Sequence, residues 1–135
     1  MIEVFADSYF YLALANPEDT AHARALAALK DVQGTHVTHS WVLSEVAGGL
    51  SSPANRPKFL QLLAFLKSNS RVVLLPPTQQ LFDAGVELFS RRPDKDWSLV
   101  DCISFHVMTL RGIRMALTGD KDFEQAGFQA VLRKS

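Results

Sequence analysis

IEVFADSYFYLALA, residues 2–15, joins two apolar segments of different character through one acidic residue. The first segment, residues 2–6, is apolar except for Glu3 and does not alternate strictly, as is typical of strands buried on both faces of a parallel sheet. The second segment, residues 8–15, predicts a helix. Asn16-Pro17 ends that helix, because a residue before proline disfavours the helical conformation. The stretch therefore predicts a strand, an acidic turn and a helix.

The same alternation continues along the chain. Further strands are predicted at residues 35–38, 71–75, 114–117 and 128–132. The helices between them are predicted from a cap at Asp19 or Thr20 to the turn at Gly34, from Trp41 to Gly48-Gly49, from Pro57 over residues 58–68, from Thr78 to about Arg91, from Ser98 onward, and over residues 121–126. Strands that alternate with helices predict a parallel sheet covered on both faces. We expect an α/β fold, a three-layer α/β/α sandwich formed by one domain over residues 1–135.

Composition limits the possible functions. The chain has 135 residues, 47% of them hydrophobic, and a formal net charge of zero, so no overall positive field favours nucleic acid. The one cysteine, Cys102, excludes an intrachain disulfide and a multi-cysteine zinc site, and a cytoplasmic location is expected. The N-terminus lacks the pattern of a signal peptide, and no apolar run approaches the length of a membrane span.

Four acidic residues interrupt or end apolar runs, where a folded chain normally avoids charge. They are Asp7, Glu45, Asp101 and Asp120. Ligands bind beyond the carboxyl ends of the strands in open parallel sheets, and all four residues can reach that edge. Two carboxylates about 4 Å apart repel by roughly 4 kcal/mol at an effective dielectric constant near 20, unless a cation lies between them. Their hard oxygen ligands suit magnesium or manganese, so a site for Mg²⁺ or Mn²⁺ is predicted.

Each candidate residue also has an ordinary structural interpretation. Asp7 and Asp120 can cap the helices that follow them, Asp101 can complete a capping box with Ser98, and Glu45 can be a solvated helix residue. Basic residues near the acidic motifs can contact phosphates or be solvated charges; these are Arg91, Arg92, Lys95 and Lys121. His36 and His39 lie around a strand end without metal-ligand spacing, so hydrogen-bonded structural histidines are expected.

The motifs together resemble a known family. The order Asp7-Ser8, Glu45, Asp101 and Thr118-Gly119-Asp120 is similar to that of PIN-domain ribonucleases, and most similar to VapC-type toxins. The segments DKDWSLVDCISFHVM (residues 94–108) and GIRMALTGDKDFEQAGF (residues 112–128) closely resemble the C-terminal half of one prokaryotic PIN subgroup. The resemblance covers essentially the whole chain. Tyr9 departs from it, because the first motif of the family often continues with a small or polar residue.

The resemblance implies a metal-dependent endoribonuclease with Mg²⁺ or Mn²⁺ as cofactor and products that carry a 5′-phosphate and a 3′-hydroxyl. Asp7, Glu45, Asp101 and Asp120 would form the acidic quartet. Asp7 and Asp120 are expected to hold the primary metal ion because they lie closest to strand ends, with Asp101 bridging or holding it through water and Glu45 positioning the attacking water or a second ion. Ser8 and Thr118 would orient the first and fourth carboxylates or a metal-bound water. Asp96 and Asp122 are additional carboxylates near the third and fourth motifs.

The resemblance also implies partners besides RNA. A toxin of this type is held silent by a small antitoxin, which would insert an arginine or lysine among the carboxylates. Separately from the resemblance, the helix over residues 59–66 is apolar on more than one face, so a homodimer is expected, and an ordinary core helix is the alternative interpretation. Two alternatives stay open: a catalytically silent PIN-like scaffold, and a phosphatase with Asp7 as aspartyl nucleophile. The phosphatase usually needs a second acid two residues later, where this chain has Tyr9.

Overall fold

The computed structural model describes residues 2–133, which form five strands and seven helices. In chain order these are β1 (Glu3–Ala6), α1 (Ser8–Ala15), α2 (His22–Asp31), β2 (Thr35–His39), α3 (Ser40–Gly49), α4 (Arg56–Ser68), β3 (Val72–Leu75), α5 (Gln79–Arg91), α6 (Leu99–Arg111), β4 (Met115–Leu117), α7 (Lys121–Gln125) and β5 (Gln129–Ala130). The alternation predicted from the sequence is confirmed.

The strands form one sheet in the order β3-β2-β1-β4-β5, and every neighbouring pair is parallel. The first strand is therefore the central one: Phe5 lies opposite Val37 of β2 on one side and Ala116 of β4 on the other. Phe5, Val37 and Ala116 are fully buried. Because all strands run the same way, their carboxyl ends lie along a single edge of the sheet.

Helices cover both faces of the sheet. On one face the Phe5 ring lies 6.2 Å from the ring of Phe123 in α7, which in turn lies 4.9 Å from Phe105 of α6. On the other face Phe10 of α1 packs edge-on against His36 of β2, with 6.0 Å between the ring centroids. The predicted α/β/α sandwich is thus confirmed.

The helices α5 and α6 pack closely at Gly85. A Cβ added to Gly85 would collide with the Ile103 side chain and lie 3.3 Å from the Ile103 Cα. Gly85 is buried in the middle of α5, where glycine weakens a helix by about 1 kcal/mol relative to alanine. The close approach of the two helices explains why this position lacks a side chain.

His39 is a structural histidine, as expected. It is fully buried, and burial lowers its pKa to about 3, so the ring is neutral. Its Nδ1 accepts a hydrogen bond from the Val42 backbone N–H at 3.3 Å, which leaves Nε2 as the protonated nitrogen. Nε2 then donates to Ser104 Oγ at 2.9 Å, and Ser104 donates to the Val100 carbonyl. This chain of bonds joins β2 to α6 and satisfies every polar atom of the ring.

Some helix and strand ends differ from the predictions. Thr78 caps α5 as predicted, by accepting from the Leu81 N–H at 3.2 Å. Asp19 does not cap α2; it accepts from the Ala21 N–H at 2.8 Å in the turn before that helix. The last strand covers only residues 129–130 of the predicted 128–132, because the chain turns after Ala130.

The α4 helix buries one face only. Leu66 is buried, whereas Leu60 and Phe65 are exposed by 62% and 58%. The second apolar face predicted from the sequence is therefore open in this chain. Within residues 2–133, the structure contains no helix with the length and apolar character that crossing a membrane requires.

Candidate active site

Asp7 lies at the carboxyl end of the central strand and is the most buried of the candidate acids, with 4% of its surface exposed. It occupies the N-cap position of α1, but its carboxylate makes no capping hydrogen bond. Burial raises its pKa to about 7, and the negative charge of Asp101 adds to this shift. The simple capping interpretation therefore does not account for Asp7, whose charge is costly to the fold.

Thr118 connects Asp7 to the fourth motif. Its hydroxyl donates to Asp7 Oδ2 at 2.9 Å and accepts from the Asp120 backbone N–H at 3.1 Å. The hydrogen bond to the ionised carboxylate opposes the effect of burial on the pKa of Asp7. β4 lies beside β1, so this fully buried hydroxyl is fixed by the sheet itself. Thr118 is thus hydrogen-bonded to the first carboxylate of the predicted quartet.

Three carboxylates converge beside this pair. Asp101, Asp120 and Asp122 each place one oxygen within 4.8 Å of the others. Asp101 comes from the first turn of α6, whereas Asp120 and Asp122 begin the short helix α7. The capping interpretations of Asp101 and Asp120 hold as well: Asp101 Oδ2 accepts from the Ser98 N–H at 3.1 Å, and Asp120 Oδ1 accepts from the Asp122 N–H at 2.9 Å. Each cap engages one oxygen of its carboxylate.

The electrostatics of the three residues reflect their crowding. Burial raises the pKa of Asp101 to about 6, and the charge of Asp120 raises it further. Burial also raises the pKa of Asp122, again with a contribution from Asp120. Mutual repulsion of this kind is relieved by protonation or by a cation between the carboxylates.

Glu45 lies on α3 at the rim and is exposed, unlike Asp7. Ser8 Oγ donates to Glu45 Oε1 at 3.0 Å, so Ser8 orients the second acidic residue. The resemblance had assigned Ser8 to the first or fourth carboxylate. Burial raises the pKa of Glu45, and the negative charge of Asp120 contributes to this increase. The Asp120 charge therefore acts across the cleft on α3.

An open cleft joins these residues. Its lining includes all four acids of the predicted quartet, with Ser8, Tyr9 and Ser98, and two cations, Lys121 and Arg133. The Tyr9 ring packs against Gly119, where an added Cβ would lie 2.6 Å from the Tyr9 hydroxyl oxygen. The quartet predicted from distant motifs is thus brought to one cleft.

The two additional carboxylates, Asp96 and Asp122, lie in different places. Asp122 joins Asp101 and Asp120, whereas Asp96 lies exposed in the loop before α6, outside that group. The sequence did not distinguish them, because the direction of Asp122 depends on how the chain turns into α7.

The predicted basic loop does not line the cleft. Arg92 makes two hydrogen bonds with Asp94, at 3.0 and 2.9 Å, and its guanidinium lies 5.0 Å from the centre of the Trp97 ring. Arg133 was missed by the sequence analysis. It follows the last predicted strand, but the turn after Ala130 decides where its side chain lies, and a turn of a few residues leaves no periodic signal in the sequence.

The side chains fit a divalent cation. Three oxygen donors gather within 4.8 Å, and carboxylates are preferred ligands of Mg²⁺ and Mn²⁺. Burial raises the pKa values of Asp7 and Asp101, and the charge of a neighbouring carboxylate adds to the shift in each case, so a cation among these residues would stabilise their ionised forms. Bound metal at such a site assists hydrolysis by activating water and stabilising charge on a phosphoryl group.

Comparison with known families agrees with this arrangement. A model of the PIN domain matches residues 4–129, so the chain belongs to the PIN-domain family. The chain is also 29% identical over 128 residues to the 23S rRNA-specific endonuclease VapC20 of Mycobacterium tuberculosis, in the strains CDC 1551 and H37Rv. That alignment covers 95% of this chain and 97% of the relative.

Solved structures give the same result. The crystal structure of Mycobacterium tuberculosis VapC20, described as a Sarcin-Ricin loop cleaving toxin, matches with a TM-score of 0.84 and 28% sequence identity, over 93% of this chain and 95% of that one. The FitAcB structure from Neisseria gonorrhoeae matches with a TM-score of 0.67 at 15% identity, over 94% of each chain. The second likeness concerns the fold alone.

Proposed function

We propose that this protein is a metal-dependent endoribonuclease, the toxin of a toxin–antitoxin pair, which hydrolyses RNA phosphodiester bonds in the acidic cleft. The observation that carries the proposal is the convergence of Asp101, Asp120 and Asp122 within 4.8 Å, beside the buried Asp7. The VapC20 relative, named as a 23S rRNA-specific endonuclease, supports the same reaction class.

The metal ion, Mg²⁺ or Mn²⁺, would be held by Asp101, Asp120 and Asp122, with Asp7 as a more deeply buried carboxylate beside this group. When bound, it supplies positive charge to the scissile phosphate and makes a water molecule more acidic. This assignment modifies the expectation that Asp7 and Asp120 hold the primary ion, because Asp7 lies outside the three-carboxylate group.

The remaining groups of the chain orient the reactants. Thr118 holds the Asp7 carboxylate in one direction, and Ser8 holds Glu45 toward the cleft. Glu45 is exposed at the rim, which supports a role in orienting the attacking water or in accepting a proton from it. Asp101 keeps its position through the capping box with Ser98.

A silent scaffold is less consistent with the electrostatics. A binding surface gains nothing from carboxylates whose pKa values are raised by burial and mutual repulsion, since that arrangement costs folding free energy. Such strain is typical of functional sites. The phosphatase alternative has no supporting observation, because Asp7 is buried and bonded to Thr118.

Substrate and partners follow from the same proposal. RNA is the substrate class, and a 23S rRNA stem–loop is the first candidate, by analogy with the VapC20 relative. A small antitoxin would neutralise the cleft by placing an arginine or lysine among the carboxylates. A homodimer would cover the exposed Leu60 and Phe65 of α4. The toxin and its antitoxin would act in the cytoplasm.

The test is an RNA cleavage assay. Purified protein is incubated with structured RNAs, including a 23S rRNA stem–loop, in Mg²⁺ or Mn²⁺ and separately in EDTA. We expect cleavage that requires metal and is lost in Asp7→Asn. Asp31→Asn, which removes an exposed carboxylate at the end of α2, serves as the matched control and should cut normally. Metal-dependent cleavage that survives in Asp7→Asn would refute the site, and the absence of cleavage by folded, partner-free protein would favour the scaffold.

A further inference from the structure

Arg133 is the arginine that lines the acidic cleft, and the core fixes its backbone. The preceding residue, Leu132, is 1% exposed. Its N–H donates to the Thr118 carbonyl at 3.0 Å, and its carbonyl accepts from Arg24 Nε at 2.9 Å. The chain therefore leaves the protein interior beside the residue that orients Asp7, and Arg133 begins at a fixed point on the rim.

The Arg133 side chain is held by Glu124 of α7. The ion pair joins Arg133 Nε to Glu124 Oε1 at 2.6 Å, and both side chains are about half exposed, at 41% and 49%. Exposed pairs of this kind contribute little to stability. A guanidinium carries five N–H donors, so Arg133 can pair with Glu124 and still offer donors to a second acceptor. The pair orients a cation at the rim more than it stabilises the fold.

The cleft needs such a cation to hold RNA. Asp7, Glu45, Asp101 and Asp120 all line it, and only Lys121 and Arg133 oppose them among its lining residues. A metal ion between carboxylates can neutralise the scissile phosphate, but the next phosphate along the strand lies beyond it. A guanidinium binds a phosphate through two parallel hydrogen bonds, which a lysine ammonium cannot do.

We propose that Arg133 is a substrate-positioning residue that binds the RNA phosphate next to the scissile one, and that Glu124 sets the direction of its guanidinium. The proposal rests on the proposed nuclease function and adds to it the contact that holds the strand in register with the acids. Arg133 would act on substrate affinity and alignment, and the carboxylates would act on the reaction itself.

The structure provides a matched control for Arg133. Arg111 pairs with Glu3 through two hydrogen bonds, at 3.1 and 2.8 Å, and is also partly exposed. Glu3 begins β1 whereas Asp7 follows it, so this pair lies at the opposite edge of the sheet from the cleft. Arg111→Gln thus removes the same charge and a similar ion pair without touching the site.

The first experiment measures binding without turnover. A 5′-fluorescein-labelled 12-nucleotide single-stranded RNA is titrated by anisotropy in Mg²⁺ against Asp7→Asn protein, alone and combined with Arg133→Gln, Arg133→Lys, Glu124→Gln or Arg111→Gln. We expect Arg133→Gln to raise Kd about tenfold and to reduce the slope of log K against log salt by about 0.7, the value for one lost phosphate contact on a single strand.

The other variants separate charge from geometry. Arg133→Lys and Glu124→Gln should keep the salt slope, because the charge at position 133 remains, while Kd rises about threefold. Arg111→Gln should change neither quantity. A Kd within twofold and an unchanged salt slope in Arg133→Gln, with a native circular dichroism spectrum, would overturn the proposal, and so would an RNA titration in which the parent protein does not bind.

Cleavage kinetics complete the test and separate the two proposals. In otherwise wild-type protein, Arg133→Gln should raise KM about tenfold while kcat stays within threefold. If the protein binds RNA through Arg133 but never cleaves it, the nuclease function fails and the Arg133 contact stands. If it cleaves RNA with the same KM and salt dependence in Arg133→Gln, the nuclease function stands and the Arg133 contact fails.

Discussion

Asp96 and Asp122, which the sequence predicts equally as additional carboxylates of the site, differ in their surroundings. Asp122 contributes an oxygen to the group formed with Asp101 and Asp120, and Asp96 is exposed in the loop before α6. The Asp96 charge still raises the pKa of Asp122, so the two are close enough to interact through solvent. Proximity alone therefore does not make Asp96 a ligand.

This difference predicts unequal effects on metal affinity. Asp122→Asn should weaken Mn²⁺ binding about tenfold or more, because it removes a negative ligand, while Asp96→Asn should change it less than threefold. Isothermal titration of each variant with Mn²⁺ measures both. Equal losses in the two variants would mean that long-range charge, and not coordination by Asp122, controls the site.

Asp7 should make the metal-free protein less stable as the pH rises. Its pKa in the folded chain is about 7, against about 3.9 in the unfolded chain, so the folded state binds more protons between these values. The free energy of unfolding therefore falls as the pH rises from about 4 to about 7. In EDTA at pH 7.5, Asp7→Asn should raise it by up to about 4 kcal/mol.

Urea unfolding of the wild type and Asp7→Asn at pH 5 and 7.5 measures this effect. The gain from the substitution should be smaller at pH 5, where Asp7 is already protonated. Asp31→Asn provides the control, since its carboxylate is exposed. A gain that is the same at both pH values would show that Asp7 is not the titrating group.

At the scale of the helices, two helical glycines that look alike in sequence differ in their packing, because only one of them lies at the contact between α5 and α6. A Cβ on Gly85 would collide with Ile103, whereas a Cβ on Gly48 in α3 would meet nothing within 4 Å. Gly85→Ala should therefore destabilise the protein by about 1–3 kcal/mol through overpacking, although alanine favours the helix. Gly48→Ala should stabilise it by up to about 1 kcal/mol.

Thermal and urea unfolding of both variants test this pair. α6 carries Asp101 in its first turn, so a shift of α6 should also reduce activity in Gly85→Ala and not in Gly48→Ala. If Gly85→Ala were as stable as the wild type, the two helices would be able to move apart without cost, contrary to the packing described.

The elements also show how far the sequence could predict the site. Asp7 and Asp120 were predicted because strand ends are visible in the apolar pattern, and parallel strands bring such ends to one edge. Asp122 and Arg133 depended on how the chain turns after β4 and β5, and turns of a few residues leave no periodic signal. The fold followed from alternation along the whole chain, whereas these two side chains followed from local geometry.

For the whole molecule, metal binding and protonation should compete. Asp7 and Asp101, with pKa values of about 7 and 6, must lose protons for the cleft to bind a cation. We expect Mg²⁺ or Mn²⁺ to raise Tm more at pH 7.5 than at pH 5.5. At a metal concentration tenfold above Kd the gain should be about 1.4 kcal/mol.

Differential scanning calorimetry with each metal, and with Ca²⁺ for comparison, measures the shift. The variant Asp120→Asn should show a smaller shift at pH 7.5, because it removes one member of the three-carboxylate group. Equal Tm gains at the two pH values, or none at either, would contradict the competition.

The bond between Thr118 and Asp7 ties catalytic competence to the survival of the whole domain. The Asp7 N–H donates to the Leu117 carbonyl, so Asp7 is held where β1 pairs with its neighbour β4, in the interior of the sheet. Peripheral helices can fray without breaking the pairing between β1 and β4. The Asp7 amide should therefore exchange its hydrogen only when the whole protein unfolds. Cleavage of an outer loop by a protease should leave the active site intact. Inactivating the protein in a cell would therefore require either a partner that covers the cleft or degradation of the entire chain.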